Sequence, residues 1–165
     1  TLIEQLCRGG MVVYINFRHD NKCFNFRVAS VIKKDDKILL SWDGNFYTLP
    51  GGRVMFGETT ENALKRIAKE DLNVNVKILK LLSINENFFD YGEDHYHEIL
   101  LVYLCEFDKD LKDETIISKR EPHKRFTFIP YKELLNVNFK PEFLLSDLQI
   151  SDNTQIIIHN ISKQE

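Results

Sequence analysis

Residues 49–74 read LPGGRVMFGETTENALKRIAKEDLNV: a proline and two glycines, a short loop ending at Glu58, then a helix-forming run carrying Arg66, Glu70 and Asp71. The hydroxyl of Thr59 or Thr60 can cap that helix, which runs to about Leu72. Leu64, Ala68 and Leu72 recur at every fourth position and supply its buried stripe. At ~100° per residue, Arg66, Glu70, Ala63, Ile67 and Asp71 fall in that order across an arc of ~140°. Glu70 and Asp71 thus flank a spot where carboxylate oxygens can converge on Mg²⁺, a hard cation that prefers oxygen ligands. Gly51 and Gly52 permit torsions closed to other residues and a close approach of the backbone to a ligand. The plainer reading is a solvated amphipathic helix behind a tight turn. Asn73, just past the helix end, tolerates a left-handed cap.

On the N-terminal side, Phe24–Lys33 alternates and then turns apolar, which predicts a strand. Lys34-Asp35-Asp36 is a turn, Lys37–Trp42 a return strand, and Phe46–Leu49 a short strand leading into the glycines. On the C-terminal side, Val74–Asn87 and Tyr96–Phe107 are two β-rich runs that Tyr91–Asp94 joins into a hairpin. Lys109–Lys124 is charged and weakly patterned and reads as a mobile loop. Phe126–Ile129 predicts a strand, and Pro130 opens a short helix through Leu135. A second short helix follows Pro141, and Gln155–Ile158 reads as a last strand or a docked tail. Strands flanking a central helix, with more helix near the C-terminus, fit an α/β class with a sheet between helices.

A chain of 165 residues suits one domain with a core that needs no disulfide or structural metal. Residues 1–20 read as an N-terminal extension or an added remnant, and residues 21–165 as the single domain. The net charge of -3 gives no global attraction for nucleic acid or anionic membrane, so a phosphorylated partner would need local cations or a bound metal. Cys7, Cys23 and Cys105 lack CxxC spacing and read as free thiols of a reducing compartment. No apolar run reaches membrane-spanning length and no signal-peptide pattern opens the chain; a cytoplasmic location is the expectation.

The 49–74 stretch resembles the Nudix box, GX5EX7REUXEEXGU with U a bulky apolar residue. Read from Gly52, Glu58 and Arg66 fall on their box positions, and Glu70 and Asp71 fill the acidic pair. Ile67 stands where the box has Glu, Asp71 is one methylene shorter than the box residue, and Asn73 replaces the box Gly. The resemblance implies a Nudix α/β/α sandwich, a mixed sheet between helices. It implies Mg²⁺, with Mn²⁺ as the substitute ion, held by the Gly52 carbonyl, Glu70 and Asp71, with Glu58 near the metal. Arg66 and Glu58 become an orienting pair. The activity implied is hydrolysis of the pyrophosphate bond in a nucleoside diphosphate linked to another moiety, with a homodimer an allowed state.

Ile67 divides the functional expectation. A general base contributes ~10²–10⁴-fold, and isoleucine neither binds metal nor takes a proton; the plainer reading is that Ile67 widens the core stripe beside Leu64. Some Nudix enzymes take the base from a loop or later strand, and Ile84–Leu101 (INENFFDYGEDHYHEILL) offers Glu86, Glu93 and Glu98. This stretch also resembles a bacterial subgroup with an ENFFEY…HEI pattern after the box. Glu98 is the choice, on the strand face opposite His97 and beside Tyr96 and Leu100; a surface or edge charge is its plainer reading. The alternative function is a catalytically impaired Nudix-fold module that senses a nucleotide or nucleotide sugar. Arg53, next to the glycines, and Arg27 present planar forks suited to phosphate oxygens. Trp42, Phe46 and Tyr47 can stack on a base or fill the core. His95 and His97 share a strand face, as a metal pair, a pocket wall or a plain surface pair.

Overall fold

The computed structural model describes residues 12–112, 114–148 and 157–162. Strands β1 (Asn16–His19), β2 (Lys22–Lys34), β3 (Lys37–Trp42), β4 (Tyr47–Thr48) and β5 (Gly51–Arg53) precede helix α1 (Thr60–Leu72). The hairpin β6 (Val76–Tyr91) and β7 (Asp94–Phe107) follows, then β8 (Ile116–Ile117) and β9 (Arg125–Pro130). A 3-10 turn at Tyr131–Asn136, helix α2 (Leu144–Asp147) and strand β10 (Ile158–Ser162) complete the described elements. The sheet path is β10-β6-β7-β2-β3-β9-β8, with β1 and β5 also paired to β2 and β4 to β3. β2 runs parallel to β7 and antiparallel to β1, β3 and β5, so the sheet is mixed.

Two apolar clusters lie on its opposite faces, because alternate residues of a strand point to opposite sides. Phe26, Val28 and Ile32 pack with Ala63, Leu64 and Ile67 of α1, while Ala29, Val31, Leu100 and Val102 pack under Leu134, Phe139 and Leu144. The predicted sandwich of a mixed sheet between helices is thus the architecture found.

The ends of α1 follow from local chemistry. The Thr59 hydroxyl accepts from the Asn62 N–H, one of the donors the first turn leaves unpaired. Asn73 closes the helix in the left-handed region (φ 55°, ψ 39°), its N–H bonded to the Ala68 and Lys69 carbonyls. Gly51 is required by a close approach: a Cβ there would lie 2.1 Å from the Val28 carbonyl oxygen, so only glycine lets β5 pair with β2.

Residues ahead of 21 also join the sheet: Tyr14 bridges Met55, Ile15 N–H bonds to the Val54 carbonyl at 2.9 Å, and β1 pairs along β2. The exposed, polar NFRH pattern of β1 carries no strand signal of its own, and the neighbouring edge of β2 recruits it. Lys109–Lys124 is not a free loop throughout. Ile116–Ile117 pairs with β9, and residues 118–124 form a turn docked on α1, with Ser118 N–H bonded to the Lys124 carbonyl at 2.9 Å.

Of the last predicted strand, Gln155 and Ile156 lie outside the described residues; β10 pairs with β6 in parallel from Ile158. Cys23 and Cys105 are buried free thiols, and burial pushes the Cys105 thiol up to about 12; Cys7 lies outside the described residues. Among the described residues, no helix is long and apolar enough to cross a membrane.

Candidate functional site

α1 and the loop before it bring the box side chains together. Arg66 Nε donates to Glu58 Oε1 at 2.7 Å and Nη2 to Glu58 Oε2 at 3.0 Å, the two-pronged geometry a planar guanidinium favours. The same Nη2 reaches the Arg53 carbonyl at 3.0 Å, and Met55 N–H donates to Glu58 at 2.9 Å. Arg66 Nη1 reaches Glu70 Oε2 at 3.3 Å, one helical turn on. The pairing with Arg66 holds the Glu58 carboxyl below its ordinary value of 4.5. Arg66 therefore braces the glycine loop against the helix while orienting two carboxylates.

Asp71 has a different environment. It is 1% exposed, and burying a carboxylate demands compensating partners. The 118–124 turn supplies them. Ser118 Oγ donates to Asp71 Oδ1 at 2.9 Å, Arg120 Nε to Oδ1 at 3.1 Å, Arg120 Nη2 to Oδ2 at 3.3 Å, and Lys124 Nζ to Oδ2 at 3.4 Å. Ser118 Oγ also accepts from the N–H groups of Arg120 and Glu121 at 3.2 and 3.0 Å, so one hydroxyl organises the turn and binds the carboxylate. Arg120 Nη1 lies 3.5 Å from Glu70 Oε2, and Lys124 Nζ 3.5 Å from the Gly51 carbonyl. Burial lowers the lysine pKa from its ordinary value, and Asp71 opposes that shift.

A cleft of about 420 Å³ opens beside this cluster, lined by Arg27, Arg53, Arg120 and Lys124 together with Gly51 and Gly52, and by the carboxylates Asp43 and Glu121. Arg27 and Arg53 are register partners across β2 and β5, like charges directly opposite each other. Phe46 and Tyr14 also line the cleft, while Trp42 and Tyr47 pack on each other at 4.8 Å.

Ile67 is 3% exposed and belongs to the core cluster of α1, its Cδ1 3.0 Å from where a Cβ on Gly52 would lie. It points into the core beneath the glycine loop, as the plainer reading of this position expects.

Glu98 is not brought to the helix carboxylates. It shares its strand face with Leu100 and Val102, which pack in the cluster on the far side of the sheet from α1. It is 3% exposed; Oε1 accepts from Asn87 at 3.4 Å and Oε2 lies 3.6 Å from Arg27 Nη1 with no hydrogen-bond partner. What it meets is Arg27. His95 pairs with Asp90 at 2.6 Å and His97 stacks near Phe88 at 4.3 Å, so the two imidazoles have separate partners.

Ser118, Arg120 and Lys124 are the residues that sequence reasoning missed. Their signal is the cluster ISKREPHK at 117–124, but nothing local ties that run to an aspartate 47 to 53 residues earlier.

A mixed sheet, a glycine loop ending at Glu58 and a helix bearing Arg66, Glu70 and Asp71 at box spacing define the class, a Nudix-type domain. The NUDIX domain family model matches residues 24–146, and the chain belongs to that family. Solved structures share the fold. A NUDIX hydrolase from Nitrosomonas europaea superposes with a TM-score of 0.63 at 15% identity, over 89% of this chain and 82% of that one. An ADP-ribose pyrophosphatase from Streptococcus suis gives 0.56 at 16% identity, over 84% and 98%. A UDP-X diphosphatase gives 0.55 at 17% identity, over 89% and 67%.

Nudix hydrolases generally use a divalent cation, and the donor set here can be tested for one. Glu58 is engaged by Arg66, Glu70 lies between Arg66 and Arg120, and Asp71 is saturated by Ser118, Arg120 and Lys124. Among the described residues no group of three His, Cys, Asp or Glu side chains converges as a metal site. A dication among these carboxylates would sit against two cationic side chains. In this arrangement the residues do not fit Mg²⁺ or Mn²⁺.

Proposed function

We propose that the cleft binds a nucleoside diphosphate linked to another moiety, phosphates toward Arg27, Arg53, Arg120 and Lys124, and that the chain is a ligand-reading member of its family. The observation that carries this reading is the cross-strand pair of Arg27 and Arg53 on the cleft wall. Like charges directly opposite destabilise a sheet; Glu98, 3.6 Å from Arg27, offsets part of that, and a polyanion between the two arginines would offset the rest. Guanidinium forks meet phosphate oxygens two at a time, and Phe46 at the same cleft can stack on a base. Two similar structures are named for an ADP-ribose pyrophosphatase and a UDP-X diphosphatase, ligands of this chemical form. Binding without turnover is supported by Ile67 at the box Glu position and by the saturation of Asp71.

A second reading is hydrolysis of the pyrophosphate bond, with Mg²⁺ or Mn²⁺. The intact Glu58–Arg66–Glu70 network favours it. It requires Arg120 and Lys124 to leave Asp71 and a base in place of Ile67. The discriminating experiment incubates the protein with ADP-ribose and UDP-sugars in Mg²⁺, following nucleotide products by chromatography and ligand stabilisation by thermal shift. Stabilisation without product supports the ligand-reading role. Metal-dependent nucleoside monophosphate release supports the hydrolase, and neither signal with any member of the panel removes both.

A further inference from the structure

We infer that Arg120 and Lys124 occupy the role of the divalent cation in this chain, so that the cleft takes a diphosphate by ion pairing with protein side chains alone. The inference rests on the reading of the cleft as a diphosphate site.

Its first support is charge balance. Glu58, Glu70 and Asp71 are three carboxylates on one patch, and Arg66 offsets one of them. The two charges that remain are what one dication would neutralise. Here Arg120, which also touches Glu121 at 3.0 Å, stands against Glu70 and Asp71, and Lys124 stands against Asp71, where that dication would be.

The second support is that the cations are built in. Ser118 is 3% exposed, its hydroxyl holds Asp71 and two turn amides, and Lys119 N–H bonds to the Asp71 carbonyl at 2.9 Å. The turn is thus fastened to the end of α1 at backbone and side chain together. The third support is direction: both cations line the same cleft as Arg27 and Arg53. Arg120 has more donors than Asp71, Glu70 and Glu121 engage, since a guanidinium carries five N–H groups. It can keep its carboxylate contacts and still donate into the cleft.

Titration calorimetry of the full chain with inorganic pyrophosphate, in EDTA and again in Mg²⁺, tests this. Binding in EDTA that Mg²⁺ does not strengthen is the expected result. Arg120→Gln should weaken it by about tenfold to a hundredfold, the worth of a charge-assisted hydrogen bond, and Arg120→Lys should recover part of the loss. Should Arg120→Gln lose its fold by circular dichroism, Lys124→Gln and the wild-type comparison in EDTA still decide.

Binding that appears only with Mg²⁺ overturns the inference and leaves the diphosphate reading intact. No pyrophosphate binding in either buffer, or affinity unchanged in both Gln variants, also overturns it. Pyrophosphate bound in EDTA but not displaced by ADP-ribose, UDP-sugars or another nucleoside diphosphate derivative upholds the inference and removes the nucleotide reading instead.

Discussion

Ile67 and Glu58 stand at box positions of one loop-and-helix unit and meet opposite fates. Ile67, at 3% exposure beside Leu64 and Val54, is a core residue; its aliphatic chain fills the space under Gly52. Ile67→Ala should lower the unfolding free energy by about 2–5 kcal/mol, the usual cost of emptying a packed site. Urea denaturation would measure it, and a loss below about 1 kcal/mol would mean that the site is not tightly packed. Glu58 stays polar and paired. Its carboxyl is held below 4.5 by Arg66 first and the Met55 amide second, so the folded state binds its proton more weakly than the unfolded chain. Stability from this pair is full above the unfolded value and drains away as pH falls through the folded one. Melts between pH 6 and pH 3 should show a fall beginning near about pH 4.5, with a shallower acid limb in Glu58→Gln. Parallel acid limbs in the two proteins would remove Glu58 from the account.

The elements differ in how far their causes reach. α1 starts at the Thr59 cap, ends at left-handed Asn73 and buries its Leu64 stripe, all properties of adjacent residues. The β6–β7 hairpin and the 3-10 turn after Pro130 were legible for the same reason, although both hairpin strands extend closer to the turn than the β-rich runs imply, to Tyr91 and from Asp94. The 118–124 turn was not legible. Its order comes from Ser118 bridging its own backbone to Asp71, a contact between elements. Ser118→Ala leaves a buried carboxylate short of a donor and two amides short of an acceptor. It should cost about 1–3 kcal/mol by thermal or urea unfolding. A change within a few tenths of a kcal/mol would mean that the turn is not held as described.

Across the molecule, the sheet carries residues from distant parts of the chain to one cleft: Tyr14 before β1, Arg27 on β2, Arg53 on β5, Arg120 and Lys124 before β9. The segment at 13–19 is part of this assembly, through the Ile15 and Phe56 backbone bonds and the Arg18–Asp94 pair. Deleting residues 1–19 should therefore melt lower than deleting residues 1–11. The gap should be about 2–8 °C, what ~1–2 kcal/mol produces in a domain of this size. Equal melting temperatures would show that β1 adds nothing to the fold. The family, the helix and its caps, and the Glu58–Arg66–Glu70 spacing could all be read along the chain, because each depends on residues within a turn or two of one another. The meeting of Glu98 with Arg27 and the capture of Asp71 by Ser118, Arg120 and Lys124 could not. Those depend on which sheet face a strand presents and on where a segment 47 to 53 residues away comes to rest, and only chain packing supplies that.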